Sequence, residues 1–119
     1  MKKTSFLLFM VLAASNVYAD KLTHPLDFKG TEKEKNHVIS YIKGNVKEQY
    51  TKIGMGDPST LRMMEQEELK SFKELTKVKN RKLLDGVIRQ YCGIGMCNYN
   101  TILMMYNEQN KASKETLQW

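Results

Sequence analysis

Methionine is the residue type in this chain whose number and spacing could support chemistry. Two groups of three methionines repeat the same internal spacing. Thioether sulfur is a soft ligand suited to Cu(I), so a copper site built on Met63 and Met104 is one interpretation. The six residues are Met55, Met63, Met64, Met96, Met104 and Met105.

Two other uses of these methionines need no metal. Methionine is unbranched and flexible, so it fills irregular gaps where helices cross, and it also forms adaptable apolar contact surfaces. Adjacent residues on a helix point about 100° apart, so only one methionine of each pair can face a shared site. We therefore take the six methionines as a candidate interaction surface, and we predict no metal and no cofactor.

Cys92 and Cys97 are the two cysteines, and they predict one intramolecular disulfide. Residues five apart in a continuous helix rise about 7.5 Å, too far for a bridge, so a helix must end near Cys92. A redox role is the alternative. Thiol–disulfide enzymes use two intervening residues and a helix N-terminus, whereas Cys92 should lie at a helix C-terminus.

Hydrolytic or acid–base catalysis has few candidate residues in this sequence. His24 lies in a non-periodic N-terminal stretch and His37 in a predicted helix, and neither belongs to a motif with serine or cysteine. The carboxylates Glu65, Glu67 and Glu68 are interpreted as a solvated helix face. We find no zinc-binding spacing and no phosphate-binding glycine loop, so we predict that the protein is not an enzyme.

An internal repeat organises the part of the chain that holds the methionines. Residues 46–67 match residues 87–108 at an offset of 41, with ten identities in twenty-two positions. The segments Ile53-Gly54-Met55 and Ile94-Gly95-Met96 coincide, and so do the two methionine pairs. This similarity predicts two copies of one structural unit.

Helix start and stop signals define that unit as a helical hairpin. Thr31 and Glu34 form a capping box before a first helix, which should end at Gly54 and Gly56. Asp57-Pro58 is typical of the start of a second helix. The apolar stripe of the first helix comprises Val38, Ile39, Ile42, Val46, Tyr50 and Ile53, and that of the second comprises Leu61, Met64, Phe72 and Leu75.

The second hairpin follows a lysine-rich connection at residues 76–80. A third helix ends at Cys92-Gly93, and Asn98 stands where Asp57 stood, so it can cap a fourth helix. No sustained alternation of apolar and polar residues indicates a strand. The prediction is an all-α fold in which two duplicated helical hairpins pack as a small four-helix bundle.

The domain organisation follows from these elements. Residues 1–19 are predicted to be a signal peptide, and residues 20–30 an extended N-terminal lead. A single helical domain spans residues 31–112, with one repeat at about 31–75 and the other at about 78–112. Residues 113–119 form a polar tail.

The N-terminus predicts export from the cell. Lys2 and Lys3 precede a short apolar run, and Val17-Tyr18-Ala19 provides the small residues of a cleavage site after Ala19. A buried N-terminal helix is the alternative. The remaining chain holds no apolar run long enough to span a membrane, so we expect a periplasmic or secreted protein, with a Gram-negative periplasm favoured.

Charge restricts the class of partner. The formal charge is +6, or +4 without the two lysines of the predicted signal peptide, and lysine and glutamate are interspersed. Nucleic-acid binding would favour a basic block with interleaved aromatic residues, which we do not find. An anionic surface such as a membrane, a cell-wall polymer or an acidic protein is compatible with the mild positive charge, and we expect another protein as the partner. The function predicted is a protein-binding module such as an inhibitor, immunity or adaptor protein, with a Met-based Cu(I)-binding protein as the alternative.

Overall fold

Four helices account for most of residues 21–119. The structure is a computed structural model that describes residues 21–119, so the predicted signal peptide lies outside the described residues. The described part contains no strand, and the all-α prediction is confirmed. The helices are α1 (Glu32–Thr51), α2 (Pro58–Leu75), α3 (Arg81–Cys92) and α4 (Tyr99–Ala112).

Side-chain caps explain where the helices begin. Thr31 and Glu34 form the predicted capping box, in which Thr31 Oγ1 accepts a hydrogen bond from the Glu34 amide at 3.1 Å. Asp57 and Asn98 cap α2 and α4 as predicted, and Asn80 caps α3. Each cap accepts a hydrogen bond from an amide that has no partner within its own helix.

The core lies between two central helices and two outer ones. α2 packs against α4, while α1 packs on α2 and α3 packs on α4. Each helix contributes the inward part of its apolar stripe. The buried apolar residues are Val38, Ile42, Val46, Phe72, Leu75, Leu84, Val87, Tyr99, Ile102 and Tyr106.

Two apolar residues assigned to the stripe of the first helix lie outside the core. Ile39 is 39% exposed, because the stripe follows Val38, Ile42 and Val46 and Ile39 lies about 100° away from Val38. Ile53 is 63% exposed, because α1 has already ended at Thr51 and the chain is turning. The predicted stripe was wrong for these two residues.

An aromatic cluster forms the centre of the molecule. The ring of Tyr99 contacts Phe72 edge-on at 4.9 Å between centroids and Tyr41 at 5.9 Å. Phe28, from the N-terminal lead, adds a further edge contact to Phe72 at 5.0 Å. Such contacts contribute beyond their buried area. Three helices and the lead therefore meet at Tyr99 and Phe72.

The N-terminal lead is more structured than the predicted extended segment. Residues Pro25–Asp27 form a 3-10 turn, and Pro25 is buried. His24 caps this turn, since its Nδ1 accepts a hydrogen bond from the Leu26 amide at 3.1 Å. Leu22, Leu26 and Phe28 pack against the core. The lead is a strap across the bundle.

Polar contacts attach the strap to α3. His24 Nε2 lies 2.6 Å from Asp85 Oδ1. Because Nδ1 already accepts from an amide, the neutral ring carries its proton on Nε2 and donates it to Asp85. Arg81 forms an ion pair with Asp27 at 2.8 Å, and its guanidinium holds the pKa of the Asp27 carboxyl below its usual value.

The hydroxyl of Tyr99 attaches the strap to α4, and removing it should destabilise the fold. The hydroxyl donates to the Thr23 carbonyl at 2.9 Å and accepts from the Thr23 amide at 3.1 Å. We expect Tyr99→Phe to lower the free energy of unfolding by about 2 kcal/mol, because both backbone groups lose their partner. Urea unfolding measures the change. Tyr50→Phe, at a half-buried tyrosine outside this contact, should change it by less than about 0.5 kcal/mol.

Within residues 21–119, no helix is both long enough and apolar enough to cross a membrane.

Candidate interaction surface

The two turns that hold the repeated Ile-Gly-Met segments have the same hydrogen bonds. We call residues 52–57 corner 1 and residues 93–98 corner 2. The Met55 amide donates to the Tyr50 carbonyl at 2.8 Å, and the Met96 amide donates to the Tyr91 carbonyl at 2.8 Å. Bonds of this span close a helix C-terminus in the Schellman motif.

A left-handed glycine makes each corner possible. Gly54 has φ of 78° and Gly95 has φ of 83°, in the region that glycine adopts without a steric penalty. The chain therefore turns at Gly54 after α1 and at Gly95 after α3, and the next helix begins at Pro58 in the first case and at Tyr99 in the second.

The corners expose the same apolar side chains to the same degree. Each contributes an isoleucine and a methionine from the turn and a further methionine from the first turns of the next helix. The exposed fractions agree pair by pair, at 63% and 65% for Ile53 and Ile94, 44% for both Met55 and Met96, and 59% and 58% for Met63 and Met104. We call these six residues the corner surface.

The second methionine of each pair lies about 100° further around its helix. Met64 and Met105 are half-buried and pack against the core, so four of the six candidate methionines are exposed. The two pairs thus divide between core and surface, as the 100° step between adjacent helical residues requires. Copper binding by Met63 and Met104 stays a prediction.

A groove brings the two corners together. It has a volume of about 340 Å³ and lies between the C-terminal half of α1 and corner 2. Ile53 of corner 1 and Met96 of corner 2 both line it, as do Asn45 and Thr101. Ile53 and Met96, one from each corner, therefore line the same groove, together with polar side chains of α1 and α4.

Corner 2 is fixed from both sides. The disulfide between Cys92 and Cys97 joins residues whose Cα atoms are 4.1 Å apart. From α1, the Tyr41 hydroxyl at 2.5 Å and Asn45 Nδ2 at 3.0 Å both donate to the Cys97 carbonyl. Burial, followed by the charge of Glu68, raises the pKa of Tyr41 to about 12, so its hydroxyl stays protonated and donates at neutral pH.

Glu68 corrects the interpretation of Glu65, Glu67 and Glu68 as a solvated face. Its side chain is buried, and it accepts hydrogen bonds from the amides of Tyr99 at 2.7 Å and Asn100 at 3.1 Å. Asn98 accepts the Thr101 amide at 2.8 Å. The first three amides of α4 are thus all bonded, two of them by a carboxylate from α2.

Two opposing effects act on the pKa of the Glu68 carboxyl. Burial raises the pKa of the Glu68 carboxyl, while the amides of Asn100 and Tyr99 lower it, and burial is the larger effect. The positive end of the α4 dipole also favours the carboxylate. Glu68 therefore positions the start of α4, and with it corner 2, directly from α2.

A sequence signal for Glu68 does exist. Leu61 and Phe72 are seven residues before and four after Glu68 and flank it on one face of α2, so the carboxylate stands in the middle of an apolar stripe. A charged residue at such a position is buried only with partners. Glu65 and Glu67, which are not buried, led to the interpretation of all three glutamates as one solvated face.

Structural hydrogen bonds engage both histidines, His24 and His37. Both nitrogens of His24 are engaged, one with an amide and one with Asp85, so neither is available as a general base. His37 Nε2 lies 2.9 Å from the Lys21 carbonyl oxygen. In the described part of the chain, no group of three or more His, Cys, Asp and Glu residues could hold a metal ion.

No protein-family model, curated protein or solved structure matches this chain. The function is therefore inferred from the corner surface and the elements that hold it.

Proposed function

We propose that the chain is an exported protein-binding module and that the corner surface is its binding face. The supporting observation is that Ile53 and Met96, exposed side chains from the two corners, line one groove. Flexible methionines beside isoleucine form an adaptable apolar surface. Exposed apolar side chains that cluster in this way are typical of interaction sites.

The well-ordered backbone of the corners supports a binding role for their exposed side chains. The backbone of each corner is closed by hydrogen bonds, and corner 2 also has its disulfide and the Tyr41 and Asn45 contacts. A surface that is already ordered loses little conformational entropy when a partner binds. An inhibitor, immunity or adaptor protein would use such a pre-organised face.

We further propose that the two hairpins arose by duplication of one unit. The repeated sequence, the matched turn hydrogen bonds and the paired exposures all support this proposal. The predicted signal peptide and the disulfide support export to the periplasm or beyond. We propose no catalytic role, because the described histidines are explained by structural contacts.

Two charged substitutions at equivalent positions test the binding face. In capture from a periplasmic extract, we expect Met63→Glu/Met104→Glu to retain its specific partner at least about tenfold less than the wild type, because a charge among the exposed apolar side chains opposes their burial against a partner. Quantitative mass spectrometry of the captured proteins measures the loss.

The matched control is Gln66→Glu/Asn107→Glu. It adds the same charges to the same two helices one turn further on, at exposed and equivalent positions. It should retain the partner, and circular dichroism should show all three proteins folded. Equal retention by Met63→Glu/Met104→Glu, or no protein captured specifically by the wild type, would contradict the proposal.

A further inference from the structure

A second groove lies between α1 and α2, and no residue of the corner surface lines it. It has a volume of about 650 Å³, and Ile39, Ile42 and Leu69 provide its apolar side chains. Ile39 is the exposed apolar residue of α1 that neither the core nor the corners account for. The groove therefore offers an apolar floor of a size suited to two or three side chains.

Positive charge surrounds this floor. Arg62 and Glu65 line the groove as an ion pair at 2.7 Å, and the arginine lowers the pKa of the Glu65 carboxyl. The remaining charged residues are four lysines and two glutamates, which leaves an excess of positive charge: Lys43, Lys70, Lys73, Lys77, Glu67 and Glu74. An acidic segment with apolar side chains would complement both features.

Residues 115–119, which follow Lys114 after the end of α4, carry one acidic and two large apolar side chains. Leu117 and Trp119 are fully exposed, and Glu115 precedes them with the same spacing of two. In an extended backbone, residues two apart point to the same side, so the three side chains would form one face. Trp119 is also the sole tryptophan of the sequence. A solvent-exposed tryptophan leaves a large apolar area without a packing partner.

We propose that the α1–α2 groove binds the segment Glu115–Trp119 of a second copy of this chain. Trp119 and Leu117 would cover the apolar floor, and Glu115 would face the lysines. Within one chain the segment stands in solvent while the groove is open. Because each copy carries both the groove and the segment, reciprocal exchange gives a closed two-fold dimer.

The contacts of α4 show where the segment begins relative to the groove. The Asn80 amide donates to the Tyr106 hydroxyl at 3.1 Å, so the last turns of α4 lie beside the connection that follows α2. Lys77, in that connection, lines the end of the groove. The segment therefore leaves α4 at the end of the molecule where Lys77 borders the groove.

The sole tryptophan makes the proposal testable with the protein alone. Sedimentation velocity and tryptophan emission should be recorded over the same range of protein concentrations. We expect dimers to form, and the emission of Trp119 to shift to shorter wavelength over the same concentrations. Ile39→Glu in the groove and Leu117→Ser in the segment should each weaken dimerisation by at least about tenfold.

Two further samples distinguish this dimer from others. Mixing the Ile39→Glu chain with the Leu117→Ser chain pairs one intact groove with one intact segment, and should restore part of the emission shift. Met63→Glu/Met104→Glu, on the corner surface, should dimerise like the wild type. An emission shift independent of concentration would show that each chain fills its own groove, and solvent-like emission at every concentration would show no docking; either result would overturn the proposal.

Discussion

Replacing Glu68 with alanine is expected to lower the free energy of unfolding by about 3 kcal/mol at neutral pH. The substitution removes the acceptor of two amides at the start of α4, of which the bond to Tyr99 is buried and the bond to Asn100 is partly buried. An unsatisfied buried donor costs about 1–3 kcal/mol. Because these amides belong to the first turn of α4, we also expect faster amide hydrogen exchange at Tyr99 and Asn100. Urea unfolding and exchange measurements check both effects.

Two further variants separate the hydrogen bonds of Glu68 from its charge. In Glu68→Gln one oxygen remains, so one of the two amide contacts is kept, and the loss should be about 2 kcal/mol. Glu67→Ala removes the exposed neighbouring carboxylate and should change stability by less than about 0.5 kcal/mol. Equal losses in Glu67→Ala and Glu68→Ala would show that the buried contacts carry no specific stabilisation.

The pH dependence of the Glu68 contribution has a definite sign. The ordinary pKa of a glutamate is 4.5, and burial raises the pKa of Glu68 in the folded state. The folded protein therefore retains a proton that the unfolded chain has lost, so stability falls as pH rises through the raised pKa. Relative to Glu68→Gln, the wild type should gain stability on acidification through this window. A gain in the opposite direction would contradict the assignment.

Moving the disulfide from corner 2 to corner 1 is the second change for which we expect a large effect on stability. Thr51 and Gly56 occupy the positions in corner 1 that Cys92 and Cys97 occupy in corner 2. A Cβ built on Gly56 lies 3.6 Å from the Thr51 Cβ, within the range that disulfides require. Closing a loop of this length stabilises by about 2 kcal/mol on the chain-entropy estimate.

We expect Cys92→Ala/Cys97→Ala to lose about 2 kcal/mol and the further change Thr51→Cys/Gly56→Cys to recover about the same amount under oxidising conditions. Reduction should abolish the recovered part. Thiol labelling of the oxidised four-residue variant should find no free thiol. Free thiols in the folded, oxidised protein would show that the two corners differ in backbone geometry despite their matched hydrogen bonds.

Local signals explain which parts of the fold could be predicted from the sequence. The capping residues Thr31, Asp57 and Asn98 act within three residues of themselves, so the sequence beside them contains the whole interaction. The corners depend on Gly54 and Gly95 in the same way. The Ile53–Met96 groove is different, because it forms only when the two hairpins pack together.

Long-range contacts explain what the sequence could not show. Glu68 bonds amides that are 31 and 32 residues away, and His24 bonds Asp85 across 61 residues. No spacing rule links residues so distant, and the strap looked featureless because its partners lie on other elements. The exposure of Ile39 has the same origin, since the position of α2 decides which side of α1 is covered.

The strap also determines how late in synthesis the core can be completed. Thr23 is among the first residues to be synthesised, yet its backbone is bonded by Tyr99, 76 residues later. Contacts of such separation form late, since a long loop must close before they contribute. The aromatic centre therefore cannot be completed until α4 has been made, and the N-terminal strap stays without its partners on α3 and α4 through most of synthesis.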